Sequence, residues 1–332
     1  LLIENNNKII TDLIQHINIF IIIKADRRKI MNNKTRLKGM FLVIIGATLW
    51  GISGTVAQYL FQKKGFTAEW LVVARMLASG IILTLYSFIK GNKNIIKIWT
   101  NKKDVFSLII FSILGMLGVQ YTYFASINYG NAATATILQY LSPVIITCYL
   151  AIKSKKFPHF QQLLAIILAM IGTFFIITKG DMNNLSISKL ALFWGIASAF
   201  ASALYTLQPI SLLKKYDSTT VIGLGMLLGG ISFSSIHNPL NFSGEISLDS
   251  IIAIAFVIIF GTLIAFYCYL ESLKYIQPTE ASILGSLEPL SAAFLSIIWL
   301  NVSFAPLQWI GTIFIISTVI ILSYSKKEKV LT

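Results

Sequence analysis

Residues 115–143 and 261–289 are two versions of one apolar segment, aligned without a gap at an offset of 146. Gly115/Gly261, Leu117/Leu263, Tyr121/Tyr267, Tyr123/Tyr269, Ser126/Ser272, Tyr129/Tyr275, Ala135/Ala281, Ile137/Ile283, Leu138/Leu284, Leu141/Leu287 and Pro143/Pro289 are identical. Shared composition alone does not place one proline and three tyrosines of each copy in one register. The unit is therefore duplicated, and internal repeats in apolar chains are a mark of transporters, whose alternating access is built by rocking one part against another.

The surroundings of the repeat decide the solvent. With 56% hydrophobic and 12% charged residues in 332, the chain has too little polar surface to coat a soluble core and belongs in a bilayer. A net charge of +14 could suggest nucleic acid. Lys and Arg instead fall in short links between long apolar runs, which reads as membrane topology, so no nucleic-acid partner is expected. Cys148 and Cys268 both lie inside apolar runs and read as packing residues.

Windows of membrane length mark ten spans, near 39–61, 68–89, 105–127, 132–152, 160–178, 188–210, 218–236, 249–272, 279–300 and 306–324. With the N-terminus inside, the inner segments carry seventeen Lys and Arg and the outer ones four, namely Lys63, Lys64, Lys179 and Lys189. Both termini are thus expected in the cytoplasm of a bacterial inner membrane. The offset of 146 carries helix 3 onto helix 8 and helix 4 onto helix 9, a displacement of five. Five is odd, so the second copy enters the membrane in the opposite sense. The expected fold is all-α and integral to the membrane, with ten transmembrane helices as two inverted five-helix repeats. A weaker offset of 151 relates Lys38/Lys189, Thr55/Thr206, Lys63/Lys214 and Lys64/Lys215. The expected units are residues 31–180 and 181–325, followed by a basic cytoplasmic tail at 326–332. Residues 1–30 are expected to be a leader or extension outside the fold, since their apolar core at 17–23 is shorter than the roughly 20 residues a span needs.

The run GATLWGISG at 46–54, the arginine in VVARMLASG and the paired segments YTYFASINYGNAATATILQYLSPV and YCYLESLKYIQPTEASILGSLEPL resemble the drug/metabolite transporter superfamily, EamA type. So does the pair PHFQQLLAIILAMIGTFFI and APLQWIGTIFIISTVIIL. The resemblance spans 39–324 and implies a secondary transporter, commonly an exporter of small metabolites such as amino acids, with a cavity between the halves. Many members carry an acidic residue after helices 4 and 9. Here those links read AIKSKKFPH and WLNVSFAP, so a coupling role for such acids does not carry over.

Charges inside a bilayer are costly and normally face a cavity or a partner. Arg75 in helix 2 is read as an anion-binding or gating group, and Glu288 in helix 9 as its partner or a protonatable coupling site; the competing reading is an ion pair that only fixes packing. Pro143 and Pro289 occupy equivalent places and are read as helix breaks that free a carbonyl near the binding site. Trp50, Gln120, Tyr121, Gln139, Tyr140, Trp194 and Tyr205 complete the substrate-binding candidates, whereas Tyr123, Tyr129, Tyr269 and Tyr275 read as interfacial belt residues. No zinc, phosphate-loop or Ser/His/Asp signature occurs. Neither enzyme activity, nor a cofactor, nor a metal is expected.

The expected partners are a small-molecule substrate and the lipid bilayer, with the chain a monomer or weak homodimer. The expected function is alternating-access transport of small metabolites, with export of amino acids or related solutes in front. Multidrug efflux or metabolite uptake stands as the alternative, and a non-transporting membrane scaffold behind it.

Overall fold

The computed structural model describes residues 36–92, 94–155, 159–179, 187–272, 275–276, 284–285 and 287–324. The expected extension at 1–30 and the basic tail at 326–332 lie outside the described residues. Six helices are long and apolar enough to cross a membrane: α1 (Arg36–Lys64), α2 (Ala68–Ile89), α3 (Lys102–Tyr129), α4 (Ala132–Lys153), α6 (Lys189–Leu213) and α8 (Leu248–Tyr269). Four shorter apolar helices complete the set: α5 (Phe160–Thr178), α7 (Ser218–Ser234), α9 (Leu287–Ile298) and α10 (Pro306–Tyr324). No strand occurs among the described residues. The protein is a multi-pass helical membrane protein.

Short polar links reverse the chain because their side chains satisfy the free amides of the next helix. Asn101 Oδ1 accepts from the Lys103 and Asp104 amides, Asn131 Oδ1 from Thr134 at 2.8 Å, and Ser188 Oγ from Ala191 at 3.0 Å. Asp217 does the same for α7 through Thr220, at 3.0 Å, and also accepts from Asn92 and Asn94 in the α2–α3 link. Burial pushes the Asp217 carboxyl up, but these hydrogen bonds outweigh it and hold the group below its ordinary value. Its stabilising contribution is thus complete above the unfolded pKa of about 4 and fades as pH falls through the folded value. Asp217→Ala is expected to cost about 1 kcal/mol, and in melting curves between pH 6 and 3 the variant should lose less stability on acidification than the wild type.

Glycines let the helices meet backbone to backbone. A methyl group on Gly80 of α2 would stand 2.5 Å from the Leu227 amide nitrogen of α7, and one on Gly223 of α7 3.1 Å from that of Thr84. In α5 and α10 the contacts are exchanged: Gly172 meets the Gly311 carbonyl oxygen, Phe314 and Ile315, while Gly311 meets the Gly172 carbonyl oxygen, Phe175 and Ile176. Gln308 donates to the Ile176 carbonyl at 3.2 Å, so this pair is antiparallel. The exchange relates IGTFFIIT at 171–178 to IGTIFIIS at 310–317 at an offset of 139.

The same reciprocity joins α1 to α8 and α6 to α3. Gly39 and Gly46 of α1 rest on Ile276 and Ala265, and Gly261 of α8 admits the Ser53 side chain. On the other pair, Ser126 Oγ donates to the Ala191 carbonyl at 3.0 Å, and Gln208 Nε2 to that of Ser107 at 2.7 Å. Each pair ends on a Lys–Asp–Tyr cluster. Lys64 lies 2.9 Å from Asp249, which also accepts from Tyr59; Lys215 lies 2.7 Å from Asp104, which accepts from Tyr216 at 2.9 Å. Lys64 and Lys215 play like roles at offset 151. Within the membrane, however, Gly51 meets α9 and Gly195 meets Leu138 of α4, which aligns Trp50-Gly51-Ile52 with Trp194-Gly195-Ile196 at 144. The two offsets differ by seven residues, about two helical turns, so both present the same helix face.

Two irregularities mark the helices, of which the sequence pointed only to the second, through Pro143. Helices α3 and α8 each widen into a π-helical stretch, over Phe111–Leu117 and Ile259–Ile264, around the equivalent glycines Gly115 and Gly261. Helix α4 is interrupted at Tyr140 and Leu141 and restarts at Ser142, with Pro143 in its first turn, where the missing amide costs no helical hydrogen bond.

Candidate substrate-binding site

Arg75 is 5% exposed, deep in α2. Its Nε donates to Thr262 Oγ1 at 3.0 Å, inside the π-turn of α8, and its guanidinium carbon lies 4.6 Å from the centre of the Phe124 ring of α3. Three helices thus hold one cation. No carboxylate pairs with it among the described residues, and its terminal nitrogens have no hydrogen-bond partner there. An unneutralised arginine at this depth costs a few kcal/mol on insertion scales and needs an anion, a dipole or a cavity.

Glu288 sits in the first turn of α9 and is 9% exposed. Tyr140, at the break of α4, donates to the Gly285 carbonyl and lies 3.4 Å from Glu288 Oε2. The interruption of α4 is what places this phenol across the interface to α9. Helix α1 closes the other side: Gly51 lies flush against the Glu288 backbone, and Thr55 Oγ1 reaches the Ala292 carbonyl at 3.4 Å. Pro289 follows Glu288 in the same first turn and is buried. Residue 286 and residues 277–283 lie outside the described residues, so the turn before it has no described geometry.

Arg75 and Glu288 do not form an ion pair. Tyr123 lies within electrostatic reach of both, and Tyr140 and Tyr269 within reach of Glu288. Tyr123 Oη shares a 2.8 Å hydrogen bond with Thr136 Oγ1 and occupies the space left by Gly54. Tyr269 stands 5.1 Å from Trp50, whose other neighbour is Phe266 at 5.0 Å. Trp50 Nε1 is buried with no partner among the described residues, as are both amide atoms of Gln120, one turn before Phe124 on α3. Buried polar groups without partners are rare in folded proteins and call for an explanation.

Of the residues singled out in the sequence, Trp50, Arg75, Tyr140 and Glu288 thus gather around one interior region, with Gln120 one turn from the Arg75 ring contact. Tyr205 joins at its edge, stacked 5.7 Å from Phe111 over the π-turn of α3 and within reach of Tyr269. Gln139 ends the first segment of α4, half-buried. Tyr121 and Trp194 stand apart. They pack together at 5.3 Å beside Phe233, and Tyr121 donates to Glu69 at the start of α2. Among the belt candidates, Tyr129 is exposed and Tyr275 meets Lys38 and Glu271 at a helix end, but Tyr123 and Tyr269 turn inward. The clue to them was their identity within the repeat, whereas Thr262 and Phe124 carried no signal of their own. No group of three His, Cys, Asp or Glu side chains is placed to hold a metal among the described residues.

Comparison with known proteins identifies the family. The model of the EamA-like transporter family matches the chain twice, over residues 37–178 and 189–324. An inner membrane transporter of Salmonella typhimurium, YicL, is 41% identical over 292 residues, covering 88% of this chain and 97% of its own. The transporter YwfM of Bacillus subtilis is 20% identical, covering 86% of this chain and 94% of its own. A protein of known crystal structure shares the fold at a TM-score of 0.57 and 15% identity, over 87% of this chain and 96% of that one. A chain with interior charges on packed membrane helices, matched twice along its length, belongs to the EamA-like transporter family.

Proposed function

We propose that this protein is a secondary transporter that exports small zwitterionic metabolites, amino acids or close relatives, across a bacterial inner membrane by alternating access. The observation that carries the reading is the pair of interior charges that do not neutralise each other. An α-amino acid brings a carboxylate for Arg75 and an ammonium for Glu288, and its side chain finds the rings of Trp50, Tyr269 and Phe266. The unpaired Gln120 amide and Trp50 N–H are groups that a bound solute satisfies.

Ten crossing helices in two inverted repeats fit this role, with both termini in the cytoplasm and the chain acting as a monomer or weak homodimer. The antiparallel, contact-exchanging pair of α5 with α10 supports a two-fold axis in the membrane plane, as do the matched π-turns and Lys–Asp–Tyr clusters. The bodies that rock are not the sequence halves. Helices α1 and α8 pack from end to end, as do α3 and α6, so each moving body mixes helices of both repeats.

Counterflow of a labelled metabolite panel in proteoliposomes, with and without a proton gradient, tests the reading. A zwitterionic solute is expected to move, and Arg75→Lys to lower its transport about tenfold, because a lysine cannot reproduce the planar fork stacked on Phe124. Movement of no solute overturns the proposal. Movement of cations alone, unaffected by Arg75→Lys, replaces it with drug efflux.

A further inference from the structure

We infer that Thr262 is a positioning residue: the π-turn of α8 places its hydroxyl against Arg75 Nε, fixing the plane of the guanidinium so that its terminal nitrogens face the solute. This rests on the reading of Arg75 as the anion-binding group.

The hydroxyl is fully buried and makes two hydrogen bonds of opposite sense. It accepts from Arg75 Nε at 3.0 Å and donates to the Val257 carbonyl, five residues back, at 2.8 Å. A span of five residues is the register of a π-turn, so the widened helix supplies the carbonyl that orients the hydroxyl. With its donor committed to Val257, the oxygen is left as an acceptor aimed at Arg75. Phe124 covers one face of the guanidinium at 4.6 Å. One edge and one face are then held by the protein, and the fork of the two terminal nitrogens is left for a planar anion, the geometry in which arginine recognises a carboxylate.

The duplication provides an internal control. Helix α3 carries the equivalent π-turn at Phe111–Leu117, yet the residue 146 positions before Thr262 is Met116, which has no hydroxyl and is fully buried. A π-turn in this fold therefore forms without a threonine at that place. The hydroxyl appears only in the copy that faces the arginine, which separates a role toward Arg75 from a role in making the turn. π-Bulges of this kind recur at functional sites.

The test reads the arginine directly. The sequence has four arginines, Arg27, Arg28, Arg36 and Arg75, so in protein labelled with ¹⁵N-arginine the Arg75 Nε–H resonance is the one lost in Arg75→Lys. It is expected to exchange slowly with water in the wild type and in Thr262→Ser, and to exchange rapidly in Thr262→Val, which keeps the shape and removes the hydroxyl. Thr262→Ala gives the same comparison if the valine variant does not fold. On the solute identified by counterflow, Thr262→Val is expected to raise KM about tenfold with the maximal rate little changed, and Thr262→Ser to restore it, as for loss of one hydrogen bond to a charged group. An unchanged Arg75 resonance in Thr262→Val overturns the inference, as does a lower melting temperature with KM unmoved. If instead Arg75→Lys transports normally, the anion-site reading fails, while the resonance still reports whether Thr262 holds the guanidinium.

Discussion

Glu288→Gln is expected to abolish proton-driven accumulation of the solute while leaving solute exchange measurable. The substitution keeps the shape of the side chain, its contact with Tyr140 and the flush packing of the α9 backbone on Gly51, and removes only the charge and the exchangeable proton. Net transport driven by a pH gradient should fall about tenfold or more, a barrier change of at least about 1.4 kcal/mol. Exchange of labelled for unlabelled solute needs no net proton movement and should persist. The assignment rests on position: Glu288 is buried in the membrane with a phenol 3.4 Å away and, among the described residues, no cation paired with it, the situation in which an intramembrane carboxylate is functional by default. Accumulation in Glu288→Gln with an unchanged dependence on the pH gradient would remove Glu288 from the coupling path. The residue at the equivalent place in the other copy is Ser142, which has no carboxyl group.

The second large effect is structural. Gly51→Leu is expected to prevent accumulation of folded protein, and even Gly51→Ala to cost about 1–3 kcal/mol or more by overpacking. A methyl group there would overlap Ser291 Oγ and the Glu288 carbonyl oxygen, and would stand 2.9 Å from the Ala292 amide nitrogen. Two of these three are backbone atoms of α9, which cannot move aside as a side-chain tip can. Helix α9 must shift as a body, carrying Glu288 away from Tyr140. Gly91 offers the contrast: no atom lies within 4 Å of a methyl group built there, but its φ of +67° makes any substitution a local backbone strain rather than a packing defect. Detergent-solubilised yield and melting temperature separate the two. Gly51→Ala should lower both, and a Gly51→Ala protein as stable as the wild type would show that α1 and α9 are not closely packed in the membrane.

Much of the architecture was legible because a bilayer simplifies the problem. Apolar runs of span length must be helices there, since no other local structure satisfies its own backbone in hydrocarbon. The spans read from the sequence near 68–89 and 160–178 coincide with Ala68–Ile89 and Phe160–Thr178. Arg75 and Glu288 were legible for the same reason: a charge in hydrocarbon stands out against its neighbours. Thr262 did not stand out, because a hydroxyl in a membrane helix is commonplace and ordinarily bonds its own backbone. Tyr123 and Tyr269 were misjudged as belt residues because tyrosine is at home at an interface, and only packing shows which way a ring near a helix end turns.

The sequence alone determined the duplication, the apolar spans and the two interior charges, because each depends on composition and order along the chain. Tertiary structure alone decided that Arg75 and Glu288 are not paired, that α1 seats on α8 and α9, that α3 and α8 widen into π-turns, and that Tyr121 and Trp194 stand outside the central cluster. These depend on helix rotation, and an apolar helix with small residues on several faces can be turned to many partners at nearly equal cost in lipid. Its azimuth is set only when glycine meets backbone, as Gly51 meets Glu288 and Gly172 meets Gly311.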